Sequence, residues 1–133
     1  MNDYIYYHNI IVGSKIKINF ERKYDLQMKI EKILNRFYVH DIEQAIKFYE
    51  KVLNEKCSNI LKYSEVNLEL AMIGNILIIS GSDEALKPFR DTQATFLVDS
   101  IIEFKEFLLN DGATIVRDLK EVPTGMNMTI KHF

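Results

Sequence analysis

The sequence is poor in the residues and patterns that most often reveal chemistry or location. A single cysteine, Cys57, excludes an internal disulfide framework and fits the reducing environment of the cytoplasm. No histidine or nucleophile motif lies near Cys57, so we do not expect it to be catalytic. No apolar run approaches the roughly 18 residues of a membrane span. The charges are mixed and sum to −2. We therefore expect a cytoplasmic protein that binds neither membranes nor nucleic acid.

A short apolar strand followed at once by a capped helix occurs twice in the chain. The first copy has Asp41 ahead of the helix and Gln44 three residues later, which is the spacing of a capping box. An offset of 59 positions brings Ser100 and Glu103 into the same places, and Gly112 supplies a left-handed stop. We interpret the two copies as a duplicated module. The spacing predicts helices near residues 41–54 and 100–111.

Each predicted helix carries one apolar stripe that is expected to pack on a sheet. The stripes consist of Ile42, Ala45, Ile46, Tyr49, Val52 and Leu53 in the first helix, and of Ile101, Phe104, Phe107 and Leu108 in the second. Strand alternation places Phe37 and Val39 on one face of the first repeated strand, and Ala94, Phe96 and Val98 on one face of the second. Three strand-like runs follow the first helix and two follow the second. Each half therefore reads β-α-β-β-β in an α+β fold, with the last strand missing from the second half.

Residues 1–27 stand apart from this repeat. Runs at residues 4–12 and 15–21 are rich in β-branched and aromatic residues and flank Gly13 and Ser14, which predicts a hairpin. The extension is either a real edge hairpin or the product of an upstream start codon. The core then covers residues 28–133, with modules at 28–81 and 92–133 and a polar linker at 82–91.

Residues 39–53, "VHDIEQAIKFYEKVL", are similar to the signature V-x-D-[I/L]-x-x-[A/S]-I-x-F-Y-x-x-[V/L]-L of the vicinal oxygen chelate superfamily. That superfamily includes glyoxalase I, bleomycin-resistance proteins, extradiol dioxygenases and fosfomycin-resistance enzymes. "FLVDSIIEFKEFLLNDGATIV" resembles its second half and "PTGMNMTIKHF" its seventh strand. The resemblance covers roughly residues 28–133 and implies two half-sheets curled around a cavity. It does not choose among the reactions that this fold hosts.

The resemblance also implies which residues look into the cavity, namely those on the strand faces turned away from the helices. These are Leu34, Arg36, Tyr38, Glu69, Gln93, Thr95, Leu97, Asn127 and Lys131. Arg36 is expected to pair with an anionic group and Tyr38 to stack on an aromatic or cationic one. For Glu69 and Lys131 the alternative is a solvated polar face.

Enzymes of the superfamily hold one divalent ion through His, Gln and Glu side chains. The resemblance implies ligands seven residues before each helix cap, at Leu34 and Gln93, and leucine cannot bind a metal ion. The position on the fourth strand falls in the apolar run "ILIIS", and the last ligand, a Glu on an eighth strand, has no counterpart in the sequence. The histidines His8, His40 and His132 form no ligand spacing. We therefore expect no metal and no cofactor.

The function we expect is the binding of a small organic molecule without chemistry, as bleomycin-resistance proteins sequester a drug. The alternative is a metal-dependent lyase, isomerase or dioxygenase whose ligands are rearranged or supplied by a partner. A third interpretation is a structural or regulatory domain with an empty cavity. Because the missing strand leaves an open sheet edge, we expect a homodimer in which residues 4–20 lie along an edge or on the partner.

Overall fold

The computed structural model describes residues 4–7, 10–13, 29–122 and 125–132. The chain is α+β and divides into two compact units, the first formed by residues 34–91 and the second by residues 1–33 together with 92–133. Each unit contains one of the duplicated helices. Within the described part of the chain, no helix has the length and apolar character needed to cross a membrane.

The helices and strands of both units follow in chain order. They are β1 (Tyr4–Tyr7), β2 (Ile10–Gly13), β3 (Ile30–Val39), α1 (Ile42–Leu53), β4 (Asn59–Tyr63), a 3₁₀ turn (Ser64–Val66), β5 (Leu68–Ile73), β6 (Ile76–Ser80), α2 (Asp83–Leu86), β7 (Ala94–Val98), α3 (Ile101–Asn110), β8 (Thr114–Val122) and β9 (Gly125–Lys131). The two long helices begin and end within the predicted ranges.

The first unit has a four-stranded sheet in the order β4-β5-β6-β3. Its consecutive strands β4, β5 and β6 are antiparallel, whereas β6 runs parallel to β3. The parallel pair sets Phe37 opposite Ile78 and Tyr38 opposite Ile79. Because α1 connects β3 to β4, it crosses one face of this sheet and leaves the other face to different residues.

Helix α1 begins as the capping pattern predicts. The Asp41 carboxylate accepts a hydrogen bond from the backbone N–H of Gln44 at 3.0 Å. The first two turns of α1 cover a core of buried apolar side chains from α1, β5 and β6. These are Ile42, Ala71, Ile73 and Ile78. The predicted stripe is wrong at its end, since Val52 is 60% and Leu53 36% exposed. The core beneath α1 reaches Ala45, Ile46 and Tyr49 but not these last two residues.

In the second unit α3 packs on β7 and β9. The Ser100 hydroxyl accepts the backbone N–H of Glu103 at 3.4 Å, and Gly112 follows the helix with φ +92°. The buried core consists of Val98, Ile101, Phe104, Leu108, Ala113, Met128 and Ile130. Strand β8 pairs antiparallel with β9 and carries two register shifts.

The N-terminal strands also belong to the second unit. Strands β1 and β2 pair antiparallel with each other, and each of them also pairs with β7 and with β9. The first predicted run, residues 4–12, contains two strands, β1 and most of β2, rather than one. The predicted turn at Gly13 and Ser14 is not tested, because Ser14 lies outside the described residues. The second predicted run, residues 15–21, lies outside the described residues.

The predicted fold class is confirmed. Strand β3, helix α1 and strands β4 to β6 form one βαβββ module, and β7, α3, β8 and β9 form a second module without its last strand. Residues 82–91, predicted as a polar linker, contain the short helix α2, in which the Ala85 N–H donates a hydrogen bond to the Ser82 hydroxyl.

Candidate functional site

The face of β3 turned away from α1 carries an arginine and a tyrosine in contact. Arg36 and Tyr38 lie two residues apart on one strand and therefore share a face. Arg36 Nη1 donates a hydrogen bond to the Tyr38 hydroxyl at 3.0 Å, and the guanidinium carbon lies 5.6 Å from the ring centroid. Both side chains are half-buried. The pair thus holds a positive charge at a fixed position on a partly dehydrated surface.

The Tyr38 hydroxyl is itself held by the segment after α2. It donates a hydrogen bond to the backbone carbonyl of Phe89. Burial raises the pKa of Tyr38 above its usual range, and the charge of Arg36 opposes that rise without cancelling it. Tyr38 therefore stays neutral near pH 7. It accepts a hydrogen bond from Arg36 while donating one to Phe89.

The segment that supplies the Phe89 carbonyl is fixed by surface contacts around Asp83. The Asp83 carboxylate lies 2.8 Å from His40 Nε2 and 2.8 Å from Arg90 Nη2. The hydrogen bond from His40, followed by the charges of His40 and Arg90, lowers the pKa of Asp83. Because the three side chains are largely exposed, their contribution to stability is small. Their role is to join the end of β3 to α2.

Apolar side chains surround the arginine and the tyrosine on this face. In the paired strands, Leu77 lies opposite Arg36 and Ile79 opposite Tyr38, and both are buried. The next strand places Met72 opposite Leu77 and Leu70 opposite Ile79. The fully buried residue on the same face of β3 is Leu34. The face combines an apolar floor with one cationic and one hydroxyl group, which is the usual composition of a small-molecule site.

The prediction that Glu69 shares this face is wrong. Glu69 pairs with Ser80 and alternates with Ala71, which packs beneath α1. It therefore lies on the α1 face, where a recess of about 430 Å³ is lined by His40, Asp41, Ile42, Glu43, Lys62, Glu69 and Ser80. Both alternate sets of the strand "LELAMI" contain apolar residues, with Leu68, Leu70 and Met72 in one and Ala71 and Ile73 beside Glu69 in the other, so alternation alone does not indicate which set α1 covers.

The second unit has its own polar row, on the faces of β7 and β9 opposite α3. Phe96 and Val98 of β7, like Met128 and Ile130 of β9, pack towards α3. Alternation then places the remaining predicted residues on the other face, namely Thr95 and Leu97 on β7, Gln93 just before β7, and Asn127 and Lys131 on β9. The two ends of this row, Gln93 and Lys131, are exposed, whereas Thr95, Leu97 and Asn127 are buried.

Two threonines in that row have buried hydroxyl groups. Thr95 is 0% and Thr129 1% exposed, and neither Oγ1 atom has a hydrogen-bond partner among the described residues. A buried hydroxyl without a partner destabilises the fold by about 1–3 kcal/mol. Thr129 was not among the predicted site residues, although it alternates with Asn127 and Lys131 and could have been included on that pattern.

Comparison with known proteins includes a relative of clear sequence similarity. No protein-family model matches the chain, and no curated protein does so. An uncharacterised protein from Methanosarcina mazei is 44% identical, with 79% of this chain and 94% of that chain covered and a TM-score of 0.65. This chain belongs to the same family as that protein. That relative is itself uncharacterised, so the similarity suggests no activity for this chain.

Two more distant structures show the fold. A hypothetical protein from Bacillus halodurans is 13% identical over 80% of this chain and 96% of that chain, with a TM-score of 0.56. Methylmalonyl-CoA epimerase from Mycobacterium tuberculosis is 12% identical over 78% of this chain and 89% of that chain, with a TM-score of 0.55. These likenesses support the fold of the vicinal oxygen chelate superfamily.

The places at which the resemblance implied metal ligands hold little that can bind a metal. Leu34 is aliphatic and fully buried, and Gln93 is exposed. His40 contacts Asp83, and His132 Nε2 lies 2.8 Å from Asp111 at the end of α3. In the described ranges no three His, Cys, Asp or Glu side chains come together as a metal-binding group. His8 lies outside those ranges.

Proposed function

We propose that this protein binds a small organic anion with an apolar body, and that it does so through Arg36 and Tyr38 on the first unit's sheet. The observation that carries the proposal is the cation held by Tyr38 on an otherwise apolar sheet face. No reaction is part of the proposal. The ligand's apolar part would cover the half-buried side chains of Leu70 and Met72 on β5, and its anionic group would meet the guanidinium.

The chemistry of Arg36 supports an anionic ligand. A guanidinium on a half-buried surface loses some of its hydrogen bonds to water. A carboxylate or sulfonate replaces these with charge-assisted hydrogen bonds. Its five donors form a planar fork, of which one N–H is directed at Tyr38. That contact restricts the rotation of the side chain, so less conformational entropy is lost when a ligand binds.

The chemistry of Tyr38 supports an aromatic or otherwise flat ligand. Its hydroxyl is engaged with Arg36 and with the Phe89 carbonyl, so the contribution left to it is the ring. Aromatic pairs in offset or edge-to-face contact add about 0.5–1.5 kcal/mol beyond the area they bury. Gln93, Thr95, Leu97, Asn127 and Lys131 remain predicted ligand-binding residues.

The alternative is a metal-dependent lyase, isomerase or dioxygenase with rearranged or partner-supplied ligands. This class of enzyme remains the alternative because an epimerase has a similar fold. It is the second choice because Leu34 and Gln93 together offer at most one donor, and a bound ion needs three or four from the protein.

Calorimetric titration with naphthalene-2-carboxylate tests the proposal, with naphthalene-2-carboxamide as the neutral match. We expect the carboxylate to bind and the carboxamide to bind more weakly. Arg36→Met should reduce the carboxylate affinity about tenfold or more, which is the value of one charge-assisted hydrogen bond of about 1.5–3 kcal/mol. The matched control is Arg117→Met on β8, an exposed arginine whose loss should change nothing.

Three results would contradict the proposal. Equal affinities for the acid and the amide would remove the role of Arg36 as an anion partner. Equal weakening by Arg36→Met and Arg117→Met would show that the anion responds to overall charge rather than to a site. If neither compound binds at millimolar concentration, the structural or regulatory interpretation takes precedence.

A further inference from the structure

The two modules differ by one strand, and the position of the missing strand is defined by the complete module. In the first unit β6 is the fourth strand, and it lies between β3 and β5. It runs parallel to β3 and antiparallel to β5. By the duplication, β7 corresponds to β3 and β9 corresponds to β5. The second module's fourth strand would therefore lie between β7 and β9, parallel to the former and antiparallel to the latter.

Strand β2 from the N-terminal extension has these two orientations. It pairs parallel with β7, with Val12 opposite Phe96, and antiparallel with β9, with Ile11 opposite Thr129. Strand β1 has the opposite orientations, because it runs antiparallel to β7 and parallel to β9. Of the two N-terminal strands, only β2 reproduces the directions of β6.

The register of β2 agrees with that of β6 as well. In the first unit Ile78 of β6 lies opposite Phe37 of β3. The offset of 59 positions that relates the modules carries Phe37 to Phe96, and the residue opposite Phe96 in β2 is Val12. Val12 therefore occupies the ladder position of Ile78. Ile5 of β1 also lies opposite Phe96, so strand direction is what distinguishes β2 from β1 as the counterpart of β6. Agreement in direction as well as register is a stronger argument than pairing alone, since any exposed edge can recruit a strand.

We propose that residues 10–13 act as the fourth strand of the second module, so that β7 and β9 form an acceptor slot for this chain's own N-terminal segment. Without an occupant, the facing N–H and C=O groups of both strands would have no ladder partner, which is costly wherever water is excluded. Sixteen residues, 14–29, separate β2 from β3. That length spans up to about 55 Å when extended, which is ample for insertion within one chain.

The proposal assigns residues 1–27 a role in completing the fold. It also gives the homodimer prediction a sharper form, because a slot filled within the chain leaves no vacancy at this position for a partner's strand. The proposal does not depend on the ligand proposed for Arg36 and Tyr38, which lie in the other unit.

Engineered disulfides in the full-length chain test the register directly. In a Cys57→Ser background, Ile11→Cys with Thr129→Cys places two thiols at paired positions. We expect rapid formation of a disulfide within a single chain under mild oxidation, seen on a non-reducing gel as a monomer of changed mobility. The matched control, Val12→Cys with Thr129→Cys, is off by one residue and should react more slowly, because adjacent strand residues face opposite sides.

The same gel contains the results that would overturn the proposal. A faster reaction of Tyr6→Cys with Thr129→Cys would assign the slot to β1, whose register also brings Tyr6 opposite Thr129. Disulfides that appear only as dimers, at dilute protein concentration, would show that the strand comes from a second copy. Equal rates for the Ile11 and Val12 pairs would show that no fixed register exists.

Hydrogen exchange on the full-length chain gives an independent measurement. Ile11→Pro removes one ladder N–H, whereas Ile11→Thr keeps the N–H and a β-branched side chain. We expect the proline variant to exchange the amides of β7 and β9 about tenfold faster while the amides of β4 and β5 are unchanged. The threonine variant should leave both sets protected. Unchanged exchange of β7 and β9 in the proline variant would overturn the proposal.

Discussion

Removing the hydroxyl of Tyr38 separates the structural and binding roles of the Arg36–Tyr38 pair. Tyr38→Phe keeps the ring and removes one acceptor for Arg36 and one donor to the Phe89 carbonyl. A typical hydrogen bond contributes about 0.5–1.5 kcal/mol net, so the loss of both lowers the free energy of unfolding by about 2 kcal/mol. For a chain of this length that lowers Tm by about 7 °C.

Chemical denaturation and a thermal scan measure this loss, with Tyr63→Phe as the matched control. Tyr63 lies on β4, and its hydroxyl has no hydrogen bond to any described residue, so the same chemical change should be nearly neutral there. A double-mutant cycle of Tyr38→Phe with Arg36→Met should give a coupling of about 1 kcal/mol. Equal effects at Tyr38 and Tyr63, or a coupling of zero, would refute the reasoning.

The pH dependence of unfolding gives a second measure of the same hydroxyl. Because burial raises the pKa of Tyr38 in the folded state, the folded protein favours the neutral phenol. That contribution is fully present below the ordinary tyrosine pKa of about 10 and is lost as pH rises through the higher folded value. The wild-type chain should therefore lose stability above about pH 10 more steeply than Tyr38→Phe. Parallel curves for the two proteins would contradict the assigned direction of the shift.

Three further results are expected. Asp41→Ala should reduce the free energy of unfolding by about 1 kcal/mol and Ser100→Ala by less, because their cap hydrogen bonds measure 3.0 Å and 3.4 Å; urea denaturation compares them. Ile78→Ala should cost about 2–5 kcal/mol because its side chain is fully buried, whereas exposed Val52→Ala should cost less than about 0.5 kcal/mol in the same assay. Elemental analysis of purified protein should find no stoichiometric zinc, nickel, iron or manganese, and about one metal per chain that is lost in Gln93→Ala would contradict this.

Local sequence signals predicted the helices well. A cap residue and its partner three positions later define where a helix begins, and Asp41 and Ser100 both accept the expected N–H groups. The duplication also predicted two modules, each with strands before and after its helix. These features depend on contacts between near neighbours in the chain, so short stretches of sequence are enough to predict them.

Features that depend on distant parts of the chain were harder to predict. Glu69 was assigned to the wrong face because both faces of β5 carry apolar residues, and only the register with β6 decides which one α1 covers. The contact between Tyr38 and the Phe89 carbonyl involves a backbone atom, which any residue at position 89 would supply. The position of β2 beside β7 was expected only as an unspecified sheet edge, since a four-residue strand carries no sequence signal for its partner.

The composition of strand β3 is the reason for proposing ligand binding rather than catalysis. Positions 34, 36 and 38 share one face of β3 and hold leucine, arginine and tyrosine. The first of these is where a ligand was implied by the resemblance, and a buried aliphatic side chain there removes one donor and lowers the local polarity. The same apolar surroundings strengthen the attraction between Arg36 and an anion, because a lower dielectric increases charge–charge interactions. Leu34, which offers no donor to a metal ion, is thus compatible with the anionic ligand that we propose for Arg36.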